Sequence, residues 1–162
     1  MTISIRIGER LPKINLKQTT SQGIQDIDTE SFFKGRTVAL FAIPGAFTPT
    51  CSTIHMPGFT QNMDAFKDKG VAVACLSVND PFVMEAWGKT TNAHRDIALI
   101  ADGNGDFTKA IGLILDGSSF GLGLRSLRYS MLVKDGVVTT LNIEANAGEC
   151  NISSADALLK SL

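Results

Sequence analysis

Three apolar runs, Thr37 to Ile43 (TVALFAI), Val71 to Val78 (VAVACLSV) and Ile97 to Ala101 (IALIA), carry almost no polar residue. A strand with one face in water alternates apolar and polar side chains, so an uninterrupted run needs cover on both faces, as parallel strands have inside an α/β sheet. Around these runs the chain reads as an alternation. Ile14 to Leu16 and Ile24 to Ile27 are short strand-like pieces about a polar turn at Gln18 to Gly23, and Asp28 to Phe33 suits a short helix. Ile54, Phe59, Met63 and Phe66 form a helical stripe that Pro57 and Gly58 should kink or divide. Asn79, Asp80 and Pro81 open a second helix carrying Phe82, Val83, Ala86 and Trp87. Asp135-Gly136 between Arg128–Val133 and Val137–Ile143 predicts an antiparallel hairpin. Ser153 to Leu162 predicts a terminal helix, with Ser153 and Asp156 at capping-box spacing and Ala157, Leu158 and Leu162 on its apolar side. The fold class expected is α/β, a central mixed sheet with helices on both faces.

A chain of 162 residues, 44% of them hydrophobic, is expected to form one domain over residues 1–162 without disulfide or metal support. The formal net charge of -1 gives no basic field for nucleic acid or an anionic membrane. No segment is long and apolar enough to span a bilayer. The amino terminus, MTISIRIGERLPKINL, lacks the apolar stretch of a secretory signal. Three scattered cysteines and two histidines make neither a disulfide framework nor a zinc spacing, so free thiols, a cytoplasmic setting, no metal and no cofactor are expected. Small molecules or other proteins are the expected partners.

Chemistry concentrates where the first long strand ends. Pro44 to Cys51 reads PGAFTPTC and runs into a helix. The first helical turn offers unpaired N–H groups and the positive end of the macrodipole, both of which favour thiolate over thiol, making Cys51 the candidate nucleophile. Its flanks Thr48, Pro49, Thr50 and Ser52 are polar or turn-forming, which argues against burial in a core. Sites in such sheets form beyond the carboxyl ends of central strands, where Cys51 stands. Thioredoxin's CxxC is absent, because Ser52, Thr53 and Ile54 follow Cys51. His55 lies four residues on, placed to pack, to hydrogen-bond or to tune the thiol. The glycines from Gly117 to Gly123 read as turns.

The spacing of Pro44, Thr48 and Cys51, together with PGAFTPTCS, His55, Pro57, Gly58, Phe59, CLSVNDPFVMEAW, Ala101-Asp102-Gly103 and RYSMLV, resembles the peroxiredoxins, specifically their fifth or type-II subfamily, over nearly the whole chain. This resemblance implies a thioredoxin-like fold and a thiol peroxidase. Cys51 would attack one peroxide oxygen and become sulfenic acid, Thr48 would direct its hydroxyl to sulfur and peroxide, and Pro44 would shield the sulfur. Backbone N–H groups around Thr50 and Cys51 would bind oxygen, and Arg128, with Arg125 as the near alternative, would stabilise charge. Hydrogen peroxide, alkyl hydroperoxides and peroxynitrite are the implied substrates, and thioredoxin or glutaredoxin/glutathione the reductants.

Two cysteines compete to resolve the sulfenic acid. Cys150 lies in the polar stretch Asn146 to Ser153, where local unfolding should be cheap, whereas Cys75 lies inside an apolar strand and should be costly to expose. Animal-type members of the subfamily resemble the chain at Cys150 and plant-type members at Cys75. The apolar loop Ser118 to Leu124 (SSFGLGL) suggests a homodimer contact, or a loop folded onto its own core. A peroxide sensor, in which Cys51 oxidation switches partner binding, is the alternative function; steady peroxide consumption with a reductant distinguishes the enzyme from it.

Overall fold

The computed structural model describes residues 4–162; the first three residues of the alternating amino-terminal segment lie outside them. Nine strands are described: β1 (Asn15–Thr20), β2 (Gly23–Asp28), β3 (Thr37–Ile43), β4 (Val71–Ser77), β5 (Ala98–Ala101), β6 (Ile114–Asp116), β7 (Leu124–Ser126), β8 (Tyr129–Lys134) and β9 (Val137–Ile143). The helices are α1 (Thr29–Phe33), α2 (Met56–Gln61), α3 (Met63–Asp68), α4 (Pro81–Thr90), α5 (Asp106–Ile111) and α6 (Ala155–Leu159). Seven strands form one mixed sheet in the order β2-β1-β5-β4-β3-β8-β9. β3, β4 and β5 run parallel, and β8 is antiparallel to β3.

The uninterrupted apolar runs have the expected cause. Along β3, Ala39, Phe41 and Ile43 face a core with Phe59, Phe66, Trp87 and Leu158. Val38, Leu40 and Ala42 face a second core with Phe33, Phe107 and Met131. Both faces of β3 are therefore sealed, and helix-borne aromatics cover the first. Phe41 and Phe59 stack at 4.0 Å with planes 1° apart, and Phe66 continues the column 5.5 Å from Phe59. Fully burying each such side chain contributes roughly 1.5–3 kcal/mol.

Several boundaries differ from the sequence reading. The first hairpin is longer than expected, because β1 and β2 pair through to Thr20 and Gly23 and leave a two-residue turn. The helix after Cys51 is interrupted twice: beside Pro57, as expected, a π-helical turn over Cys51–His55 gives way to α2 with the proline in its first turn, and a further division at Asn62 separates α2 from α3. Ile54 and Phe82 are exposed, while Met56 and Met84 take the core positions. Ser154, not Ser153, caps α6 by accepting the Ala157 N–H at 3.1 Å, and Leu162 is exposed. The glycine-rich stretch 117–123 closes a second small sheet, β6 against β7, around a 3₁₀ turn at Ser118–Phe120. Two local signals hold. Asp80 caps α4 by accepting the Val83 N–H at 2.9 Å, and Asp135 and Gly136 both take positive φ in the two-residue turn between β8 and β9.

Candidate active site

β3 delivers the chain to Pro44, and a short loop then turns it into a helix whose Pro49 suits a first turn. Asn79, just after β4, fixes that loop: its Oδ1 accepts the Ala46 N–H at 3.0 Å and the Ser77 hydroxyl at 2.6 Å. Phe47 takes φ 66°, a left-handed conformation, to make the turn. Cys51 through His55 form a π-helical turn, a local widening that occurs often at functional sites.

Cys51 is fully buried, against the expectation drawn from its polar flanks. The flanking polar groups are used internally. Thr48 points inward, and the Ser52 hydroxyl accepts the Trp87 indole N–H at 2.9 Å. The Cys51 Sγ lies 2.9 Å from Thr48 Oγ1 and accepts from Arg128 Nη2 at 3.0 Å. Thr48 Oγ1 also lies 2.7 Å from the Gly45 carbonyl. A hydroxyl has one proton; when it is donated to Gly45, an oxygen lone pair of Thr48 faces the sulfur.

Arg128 immediately precedes β8 and is 1% exposed. The register that sets Tyr129 opposite Ala42 of β3 brings the preceding residue to the carboxyl end of β3, beside the Cys51 loop. Its guanidinium makes three bonds: Nη2 to Cys51, Nε to the Ala147 carbonyl at 3.1 Å, and Nη1 to His55 Nδ1 at 2.8 Å. Arg125 is directed elsewhere, to the carbonyls of Leu122 and Val78. The structure thus separates the two arginines.

His55 binds Arg128, not the thiol. A guanidinium only donates, so Nδ1 must carry the lone pair and Nε2 the proton, which goes to the Ser153 carbonyl at 2.9 Å. Burial, and then the charge of Arg128, lower the His55 pKa to about 3. Because the folded state resists a proton that the unfolded chain accepts near pH 6.5, this histidine's contribution is full above that pH and is lost as pH falls toward about 3. Urea denaturation should therefore show stability declining through this window, with a shallower decline in His55→Gln. Equal slopes would contradict the assignment.

Pro44, Thr48 and Arg128 line a cleft of about 630 Å³ whose apolar wall includes Leu115, Phe120, Leu122, Ala145 and Ala147. Cys51 lies behind this lining. Cys75 sits in β4 opposite Phe41 of β3; it is fully covered, and burial pushes its thiol well up. Cys150, before α6, is half-buried, and burial raises its thiol too. All three cysteines are free. The stretch around Cys150 is tied down more firmly than its polar composition suggests: Glu144 accepts from the backbone N–H groups of Asn151 and Ser153. Asn79, which the sequence offers only as part of the opening of α4, also holds the Cys51 loop, and Glu144 has no sequence signal beyond the hydrophobic-to-polar change after β9.

Residues 6–159 match the Redoxin family. The chain is 48% identical to Peroxiredoxin-2B of Arabidopsis thaliana over 86% of each chain. It is 43% identical to the chloroplastic Peroxiredoxin-2E of the same plant, over 100% of this chain and 71% of the relative. Reduced Prx3 from Vibrio vulnificus, solved in complex with hydrogen peroxide, superposes with a TM-score of 0.91 at 47% identity over 97% of this chain and 98% of that one. The buried cysteine and the threonine and arginine that separate it from the cleft thus sit on a thioredoxin-like framework shared with proteins of one kind, and the chain belongs to the Redoxin family as a type-II peroxiredoxin, a thiol-dependent peroxidase.

Proposed function

We propose that Cys51 is the peroxidatic nucleophile for hydrogen peroxide and alkyl hydroperoxides, with Thr48 and Arg128 orienting the peroxide and Pro44 shielding the sulfur. The observation that carries this reading is the fixed placement of Cys51 Sγ between Thr48 Oγ1 at 2.9 Å and Arg128 Nη2 at 3.0 Å. The thiolate attacks one oxygen of the hydroperoxide; the S–O bond forms as O–O breaks, and the leaving oxygen departs as water or alcohol after taking a proton. Arg128 donors serve both the sulfur that loses charge and the oxygen that gains it. With its own proton on Gly45, Thr48 can accept the O–H of the arriving peroxide and so aim it. The apolar cleft wall supports alkyl hydroperoxides among the substrates, since a hydrocarbon tail gains by leaving water there.

Cys150 is the resolving residue in this reading. Its half-exposed position favours it over the fully covered Cys75. Its thiol attacks the Cys51 sulfenic acid, forming the S–S bond and releasing water, and thioredoxin or glutaredoxin/glutathione then reduces the disulfide. Mass spectrometry after one equivalent of peroxide should find Cys51 joined to Cys150, and Cys150→Ser should abolish that species. A Cys51–Cys75 disulfide would overturn the assignment, and glutathione on Cys51 with no protein disulfide would point to an external thiol. Phe120 and Leu124, 83% and 54% exposed, support a homodimer that covers this loop.

A further inference from the structure

Glu144 follows β9 directly and is 5% exposed. Its Oε2 alone accepts three hydrogen bonds, from the Asn151 N–H at 2.8 Å, the Ser153 N–H at 2.7 Å and the Ser153 hydroxyl at 2.6 Å. The Glu144 N–H donates to the Arg128 carbonyl at 3.0 Å. From the other side, the Ser153 carbonyl accepts from His55, whose Nδ1 accepts from Arg128. A closed circuit therefore runs from Arg128 through His55, Ser153 and Glu144 back to Arg128. Cys51 is bonded to one member of this circuit, and Cys150 stands three residues before another.

The segment holding Cys150 is fastened at further points, since Arg128 Nε holds the Ala147 carbonyl and the Thr50 hydroxyl holds that of Gly148 at 2.7 Å. Cys150 itself is not. Among the described residues its Sγ has only the Ser153 hydroxyl, at 3.9 Å, and that hydroxyl's proton goes to Glu144. A disulfide needs sulfurs about 2.05 Å apart. The sulfur of Cys51 is wholly enclosed and both cysteines are free, so closing the bond requires a change of seat. Bonds to an ionised acceptor are about twice as strong as neutral ones, which makes the triple contact at Glu144 a costly part of that change.

We propose that Glu144 is a positioning residue for the resolving step: it latches the Cys150 segment to the Arg128–His55 pair, and the latch opens before the disulfide closes. This rests on the reading that Cys150 resolves. Glu144 then sets the lifetime of the sulfenic acid. While the latch is shut, a second hydroperoxide can oxidise Cys51 from sulfenic to sulfinic acid, being itself reduced to water or alcohol. Once it opens, the Cys150 thiol displaces the sulfenic oxygen as water, and the sulfur is protected.

Glu144→Gln keeps the side chain's shape and removes its charge. In stopped-flow assays with one equivalent of peroxide, closure of the Cys51–Cys150 disulfide should accelerate about tenfold, on the scale of one weakened charged hydrogen bond. The fraction of sulfinic acid formed in excess peroxide should fall in parallel. Hydrogen exchange should quicken at the Asn151 and Ser153 amides and not along β8, a pattern that general destabilisation would not produce. Ser153→Ala, which removes only the hydroxyl bond, should act in the same direction by about threefold and serves if the first variant folds poorly. Closure that is unchanged or slower in the variant that folds overturns the latch. If Cys150→Ser still closes a disulfide, the resolving assignment fails instead; if it abolishes closure while Glu144→Gln brings no acceleration, only the latch fails.

Discussion

Cys51→Ser loses peroxide reduction by at least about 10⁴-fold in the second-order rate constant while the protein stays folded. A serine hydroxyl is not ionised at neutral pH and needs a base to attack. The partners at this position are a threonine hydroxyl and a guanidinium, and neither accepts a proton usefully. Sulfur needs no such base, being partly ionised on its own. The single tryptophan offers a probe, because Trp87 donates to Ser52, the residue beside Cys51. Stopped-flow fluorescence should show the oxidation transient in the native protein and none in the variant. Retained turnover would end the assignment of the nucleophile.

Arg128→Ala should cost about 10²- to 10³-fold, the range for losing a preorganised donor to developing charge. Ionisation alone is too small to account for this. A thiol with pKa about 8.5 is already a few per cent thiolate at neutral pH, so complete ionisation adds only about 30-fold, or about 2 kcal/mol. The remainder is orientation and stabilisation of the leaving oxygen. Measuring the thiolate fraction by its ultraviolet absorbance alongside the rate separates the two; equal losses would refute the orienting role. The same substitution strips partners from His55 Nδ1 and the Ala147 carbonyl, each worth about 1–3 kcal/mol if left buried and unpaired. Arg128→Lys restores charge without the fork and should recover little of the rate, since one ammonium does not span sulfur, imidazole and carbonyl together.

Local pattern carried the strands well. The period of the apolar residues in Thr37–Ile43 and Val71–Ser77 reported that both faces are covered, and two cores confirm it. The Asp135-Gly136 turn and the Asp80 cap were equally plain, because each acts within a few residues of itself. Cap choice between Ser153 and Ser154 was not. Both hydroxyls suit a helix start, and Ser153 is withdrawn by Glu144, a partner nine residues away. Arg128 stood out through the peroxiredoxin resemblance, while the physics of the sequence left Arg125 beside it. The strand register decides between them, since Arg128 abuts β8 next to the Cys51 loop, whereas Arg125 lies in β7 and spends its donors on Leu122 and Val78.

The burial of Cys51 is hidden in the sequence for a related reason. Polar neighbours signal exposure only when water is their partner, and here Trp87, Gly45 and the arginine take that place. By itself the chain determined a sheet with both faces sealed and a cysteine in the first helical turn beyond its central strand, because hydrophobic period and helix-end chemistry are local. Tertiary structure alone decided which arginine reaches the sulfur, that the histidine braces this arginine, and that Glu144 fastens the Cys150 segment. Those contacts join residues as far as 77 positions apart, and they exist only once sheet register has brought their hydrogen-bonding groups within reach.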